Sequence, residues 1–241
     1  MNNNPIEAQM QQLRLPGMVN SFTALVESRQ LDGLSFTEGL QLLLQAEAED
    51  REQRRFNRFL KQAGFRYQAS MEEITFNESR GRSKDVLLNL ATCEYMRKGE
   101  TVLITGASGC GKSFIASALG HHACLNGYRA LYFNTQKMIN KIKMARLEGT
   151  VYKLFDKIAR MDVLIIDDFG LTPLNQQERI DLMELVEDRH TKKSTIITSQ
   201  LPVKEWYDMI GDSTIADAIL DRLVHSSHRI ELKGESLRKN M

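Results

Sequence analysis

Five short β-rich apolar runs leave this chain few ways to fold. They are TVLIT (101–105), ALYF (130–133), VLIID (163–167), STIIT (194–198) and HRIEL (228–232). Continuous instead of alternating apolar residues mark strands buried on both faces. Stretches long enough for helices separate the runs, and strands alternating with helices predict a parallel α/β sheet covered on both sides. The 241 residues, 42% hydrophobic and 26% charged, can bury a substantial core without covalent staples. Cys93, Cys110 and Cys124 are scattered, with no CxxC pair and no metal-ligand spacing, as expected of reduced thiols in a cytosolic protein. The opening MNNNPIEAQM lacks the pattern of a secretory signal, and no apolar run approaches the ~20 residues of a membrane span. The net charge of +1 points neither toward nor away from nucleic acid, so local clusters must decide.

Ahead of the strands, residues 1–66 read as a small helical domain. Met18, Phe22, Leu25 and Val26 follow helical spacing, as do Phe36, Leu40, Leu43 and Leu44. Pro16-Gly17 and LDGLS (31–35) punctuate them, and Ser35 with Glu38 forms a capping-box pattern. Arg51, Arg54, Arg55, Arg58, Lys61 and Arg66 make a positive run whose plain interpretation is a solvated helix face. Polar residues 67–81 read as a linker, and 82–241 as the α/β domain.

The first strand leads into GASGCGKS, which fits G-x-x-x-x-G-K-[ST] in the required strand–loop–helix context. The backbone of Gly106, Ala107, Ser108, Gly109, Cys110 and Gly111, with Lys112, Ser113 and Phe114 opening the helix, is the expected phosphate cradle. Lys112 would reach the β- and γ-phosphates of ATP, and the Ser113 hydroxyl would ligate Mg²⁺. The third run ends in adjacent carboxylates, Asp167 and Asp168. Such a pair is costly unless something positive sits against it. A Walker B reading makes Asp167 the metal-side carboxylate and Asp168 the group that orients or deprotonates the attacking water. Strand alternation predicts that the two side chains point to opposite sides. The fourth run ends in TSQ, where Ser199 and Gln200 are both candidates to hold the water or the γ-phosphate.

Together, GASGCGKS, VLIIDDFG, STIITSQLP, ADAILDRLVHSSHRIELKGESLR and the early LRLPGM resemble the IstB-like transposition helper ATPases of bacterial insertion sequences. That family is similar to DnaC-type helicase loaders, and both are AAA+ ATPases. The resemblance implies an α/β, P-loop NTPase core with a five-stranded parallel sheet in the order 5-1-4-3-2. It implies an ATP-dependent homo-oligomer on duplex DNA and a partner transposase. It assigns Lys112 and Ser113 to Walker A, Asp167 and Asp168 to Walker B, Ser199-Gln200 to sensor 1, and Arg222 to the arginine finger. Most AAA+ proteins have Glu where this chain has Asp168, which implies slow hydrolysis. Too few residues follow Arg222 for a full helical C-terminal lid; Arg238 is the only arginine placed to substitute for a lid-borne sensor, and a plain tail charge is its simpler role.

Local charge also bears on DNA. In TQKMINKIKMARLEG, Lys137, Lys141, Lys143 and Arg146 precede the first acid, Glu148, while Met138, Ile139 and Ile142 are spaced to pack the same helix onto the core. This helix is the expected contact for the phosphate backbone. Three other readings compete with a DNA-stimulated helper: a helicase loader on the same core, a small-molecule kinase, and an assembly clamp with negligible turnover. The kinase is disfavoured because no lid segment is visible.

Overall fold

The structure, a computed structural model, describes residues 5–234 and Ser236; Arg238 lies outside them. Eleven helices are assigned among the described residues: α1 (Pro5–Gln12), α2 (Pro16–Glu27), α3 (Phe36–Ala63), α4 (Lys84–Ala91), α5 (Glu94–Arg97), α6 (Lys112–Leu125), α7 (Thr135–Leu147), α8 (Val151–Ala159), α9 (Gln176–Arg189), α10 (Trp206–Ile210) and α11 (Ser213–Val224). The strands are β1 (Thr101–Gly106), β2 (Ala130–Asn134), β3 (Val163–Phe169), β4 (Ser194–Ser199) and β5 (Ser227–Leu232). The chain divides into two compact units, with the division between Arg58 and Phe59 inside α3.

In the first unit, Phe22 and Leu25 of α2 meet Leu43 of α3, with Met10, Met18 and Leu34 packed around them. The capping box forms: Ser35 N–H donates to Glu38 Oε2 at 2.8 Å, and Glu38 N–H donates to Ser35 Oγ at 3.3 Å. The start of α2 is held differently. Leu15 offers no side-chain cap, so the orphan amides of Gly17 and Met18 donate instead to Glu47 Oε2 on α3, at 2.8 and 3.3 Å. This requires close helix approach. A Cβ at Gly17 would stand 2.5 Å from Ala46 O and 2.7 Å from Glu47 Cα.

In the second unit all four strand pairings are parallel and the order is β2-β3-β4-β1-β5. This is the order the resemblance implies, and each expected run is a strand. Leu103, Leu164, Ile166 and Ile197 face a core built from α7 to α11, including Met138, Phe155, Leu182, Trp206 and Ile219. Helix α6 packs against β1 to β4 with Ile115 and Leu119 buried. Buried Arg189, at the end of α9, ties neighbouring ends together by donating to Ile158 O at 2.7 Å, Met161 O at 2.9 Å and Thr195 Oγ1 at 3.2 Å. Burial pulls its pKa down to about 10, so it remains a cation at neutral pH. Residues 67–81 are more than a tether. Ala69 and Ile74 are buried, and the turn at Glu78–Arg80 lies against β5, with Lys233 N–H donating to Arg80 O at 3.0 Å. No helix among the described residues is long and apolar enough to cross a membrane.

Replacing Gly17 with Ala forces the α2–α3 contact apart. Overpacking of this kind costs about 1–3 kcal/mol, and thermal denaturation followed by helical circular dichroism should show an earlier transition. An unchanged melt would mean that the helices separate without cost.

Candidate nucleotide-binding site

The loop between β1 and α6 carries left-handed or otherwise positive φ at Gly106, Gly109 and Gly111 (143°, 80° and 97°), which glycine supplies without strain. Gly111 is the N-cap of α6, so the loop delivers backbone amides to a helix N-terminus. Lys112 Nζ donates to Gly106 O at 2.7 Å and Ala107 O at 2.8 Å, which folds the lysine over the loop. The loop is braced from outside. Arg82 donates to Cys110 O at 3.0 Å, and Cys110 Sγ to Gly234 O at 3.2 Å. Beside it opens a cavity of about 620 Å³, whose apolar wall includes Tyr67, Ile74, Phe114 and Leu171 and whose polar side includes Lys112, Asp168 and Gln200.

Asp167 lies behind Ser113, which lines this cavity, and is fully buried. Burying a carboxylate is tolerable only with donors, and three elements supply them. Oδ1 accepts from Ser113 Oγ at 2.8 Å and from Thr198 Oγ1 of β4. Oδ2 accepts from the Tyr132 hydroxyl of β2 and meets Arg66 NH1 at 3.4 Å. Burial, together with the hydrogen bond to Asp167 and its charge, pushes the Tyr132 phenol far above its usual range, so it stays a donor. Asp168 Oδ2 meets the same Arg66 nitrogen at 3.2 Å and accepts from Asn134 Nδ2 at 3.1 Å.

The two carboxylates therefore do not diverge as simple alternation predicts. The β3–β4 register shifts between Ile166 and Phe169, and Asp168 has φ of 58°. That bulge breaks the period of two and turns both side chains toward one guanidinium. Ser199 is buried and donates to Phe169 O at 2.7 Å, away from the cavity, whereas Gln200 lines it. Arg222 lies on α11, donates to Ala218 O at 2.8 Å and pairs with Glu187 of α9; it does not line the cavity of its own chain. Its partner is thus not Asp217 or Asp221, its acidic neighbours on the same helix. On α7, Met138 and Ile142 are buried and Ile139 packs against the core, leaving Lys137, Lys141 and Lys143 exposed; Lys141 stands 5.6 Å from the Phe133 ring. Arg146 is committed to Asp181 of α9 and is less available than the lysines.

Sequence reasoning missed Arg66, Tyr132, Asn134, Thr198 and Arg82. Thr198 adjoins the two strand-end residues that were singled out, and β-register would have pointed to it. Tyr132 and Asn134 belong to the C-terminal half of the neighbouring strand. Arg66 and Arg82 had no such signal, since both fall in polar or charged stretches.

Over residues 8–241 the sequence matches the family described as IstB-like ATP binding protein. The chain belongs to that family. A putative insertion sequence ATP-binding protein of Sinorhizobium fredii is 40% identical over 98% of this chain and 97% of its own length. The insertion sequence IS21 putative ATP-binding protein of Pseudomonas aeruginosa is 31% identical over 97% of this chain and 88% of its own length. Among solved structures, the DnaC helicase loader is similar with a TM-score of 0.57 and 20% identity, covering 69% of this chain and 98% of that one. The replication initiator DnaA bound to AMPPCP and single-stranded DNA is similar with a TM-score of 0.58 and 16% identity, covering 71% of this chain and 52% of that one. At these identities the likeness concerns the fold, which is of the P-loop AAA+ type. The relatives thus join an insertion-sequence association to an ATP-binding core whose fold is similar to that of the DnaC helicase loader.

Thr198→Val removes the buried hydroxyl that donates to Asp167 and accepts the Asp168 amide at 3.1 Å. The unpaired groups should cost roughly 1–3 kcal/mol in denaturant unfolding, with nucleotide affinity reduced in parallel. A variant as stable as wild type would remove Thr198 from the support of Asp167.

Proposed function

We propose that the protein is an ATP-dependent, DNA-binding helper of a transposase, which assembles with copies of itself on duplex target DNA and hydrolyses ATP during insertion-sequence transposition. The observation that carries the ATP part is the 2.8 Å contact between Ser113 Oγ and Asp167 Oδ1 beside the glycine loop. Two hard oxygens at that spot suit Mg²⁺, which takes few protein ligands and completes its shell with phosphate and water. Among the described residues no cluster of three or more His, Cys, Asp and Glu side chains could cage a metal, which fits an ion shared with phosphates. Ser113 and Asp167 would hold Mg²⁺, which neutralises charge on the β- and γ-phosphates when bound.

The chain's own groups then divide the work. The loop amides and the α6 N-terminus bind the phosphates. Lys112 exchanges its two carbonyl contacts for phosphate oxygens. Asp168, at the cavity's polar side, orients the attacking water and accepts its proton, and Gln200 helps to hold it. Arg222 acts on the site of an adjacent subunit, where its planar fork stabilises charge developing on the γ-phosphate. In its own chain it is held by Glu187, so assembly must exchange that partner for phosphate.

DNA contact is assigned to Lys137, Lys141 and Lys143 of α7, with Arg146 contributing less because of Asp181. The shared fold with a DnaA that is bound to AMPPCP and single-stranded DNA supports a nucleotide-and-DNA reading. Sizing the full chain with duplex DNA and ATP, ADP or no nucleotide tests it. Large assemblies should form with ATP and weaken steeply as salt rises, and replacing the three lysines with Ala should weaken them and flatten that salt dependence while ATP binding persists. Assemblies that ignore nucleotide would refute the helper reading. Capture of a replicative helicase in place of a transposase would shift the assignment to a loader.

The trans role of Arg222 has its own test. Arg222→Ala and Asp168→Asn should each bind ATP and fail to hydrolyse it. Mixed together they should regain part of the DNA-stimulated rate, because one protomer offers an intact site and its neighbour an intact arginine. Mixed oligomers that stay inactive would show that Arg222 does not act across subunits.

A further inference from the structure

Arg66 is a cation set against both carboxylates of the site. A single guanidinium nitrogen touches Asp167 Oδ2 at 3.4 Å and Asp168 Oδ2 at 3.2 Å, the two carboxylates assigned above to metal and water. Burial works against the Arg66 charge, but the anionic groups around it outweigh that cost and hold its pKa above the usual value. Its side chain is 42% exposed, so the contact is screened and reversible. The backbone around it is fixed. Gly64 ends α3 in a left-handed turn (φ 67°), and the Phe65 ring stands edge-on to Tyr132 at 6.4 Å. Tyr67, which follows, lies 6.4 Å from Phe114 of the cradle and 5.4 Å beneath the guanidinium.

On the other side is a second cavity of about 510 Å³, lined by Gly64, Tyr132, Asn134 and Lys137 among others. Arg66 and Asp168 line both cavities. The side chain therefore has room to leave the carboxylates while Phe65 and Tyr67 stay in place.

We propose that Arg66 is a built-in competitor of Mg²⁺: it neutralises Asp167 and Asp168 until a metal–nucleotide complex displaces it into the neighbouring cavity, and so sets how strongly nucleotide binding depends on the metal. This rests on the reading of the site as one for ATP and Mg²⁺. The competition is electrostatic. A cation against Asp167 lowers the gain from a second cation there. The same cation relieves the repulsion that free ATP would meet from two bare carboxylates. Arg66 should thus help metal-free nucleotide and hinder the magnesium complex. A different role, gripping the γ-phosphate, would require Arg66 to favour ATP over ADP.

The test is the binding of fluorescent, non-hydrolysable ATP and of fluorescent ADP to the full chain, each with Mg²⁺ and with EDTA. For Arg66→Gln, the ratio of affinity with Mg²⁺ to affinity with EDTA should rise about ten-fold, the size of one charge-assisted contact. The rise should be the same for ATP and ADP. Arg66→Lys, which keeps the charge but loses the fork and is the milder change to folding, should raise the ratio by a smaller factor. A ratio that stays the same or falls in the variants overturns the proposal, as does a rise confined to ATP. Wild-type protein that binds neither nucleotide under either condition would instead overturn the ATP reading itself.

Discussion

The buried carboxylate of Asp167 is the constraint around which the rest of the ATP-binding unit is arranged. An anion with no exposed surface must be met by donors from every side, and each donor fixes a different element. Tyr132 registers β2, Thr198 registers β4, and Ser113 sets the first turn of α6. The strand order makes this possible. With β3 between β2 and β4, the C-terminal ends of both neighbours reach the same carboxylate. The loop after β1 is one strand farther away, and α6 spans the gap by packing across β1 to β4. A parallel sheet places all its C-terminal ends on one edge, and the site occupies that edge.

Asp168 is usefully seen as a consequence of the same corner. Once Asp167 is locked, β3 bulges, with φ of 58° at residue 168, before it pairs with β4 again at Phe169. Aspartate is among the few non-glycine residues that tolerate the left-handed region, because its short polar chain bonds locally. Here Asn134 donates to its carboxylate and Thr198 Oγ1 accepts its amide. A glutamate would reach farther toward a γ-phosphate but would fit this backbone less well. The shorter side chain, which from sequence alone looks like a simple loss of reach, has a conformational reason in the bulge.

How much of this was legible depended on whether the signal was local. The five strands, the glycine loop and the paired aspartates are each written in contiguous residues, so periodicity and spacing suffice. The apolar face of α7 was equally plain from Met138, Ile139 and Ile142. What escaped was pairing across the sheet. Nothing near Tyr132 or Thr198 says that their hydroxyls share one carboxylate, because register is set by the whole sheet. The stretch 67–81 reads as a linker because it is polar, yet Ala69 and Ile74 are buried and Ile74 gives the cavity part of its wall. Charge runs misled in the same way. Arg66 ends a basic run that reads as solvated, and Arg146 counts as one more surface cation until Asp181 is seen beside it.

The loop itself shows how such local and distant signals combine. Its glycines permit the curve, but permission is not order, and glycine loses more conformational freedom on folding than any other residue. The order comes from residues the motif leaves variable. Cys110 gives its carbonyl to Arg82, from the segment before the sheet, and its thiol to Gly234, just after the last strand. The loop is gripped from both flanks before any phosphate arrives, so less entropy remains to be lost on binding. Lys112 holds the inner face through the Gly106 and Ala107 carbonyls. A phosphate must then replace two hydrogen bonds of a cation with its own oxygens, a trade that favours the doubly charged end of a nucleotide over a neutral ligand. In the proposed site, selectivity for phosphate would arise from what the lysine gives up as much as from what it gains.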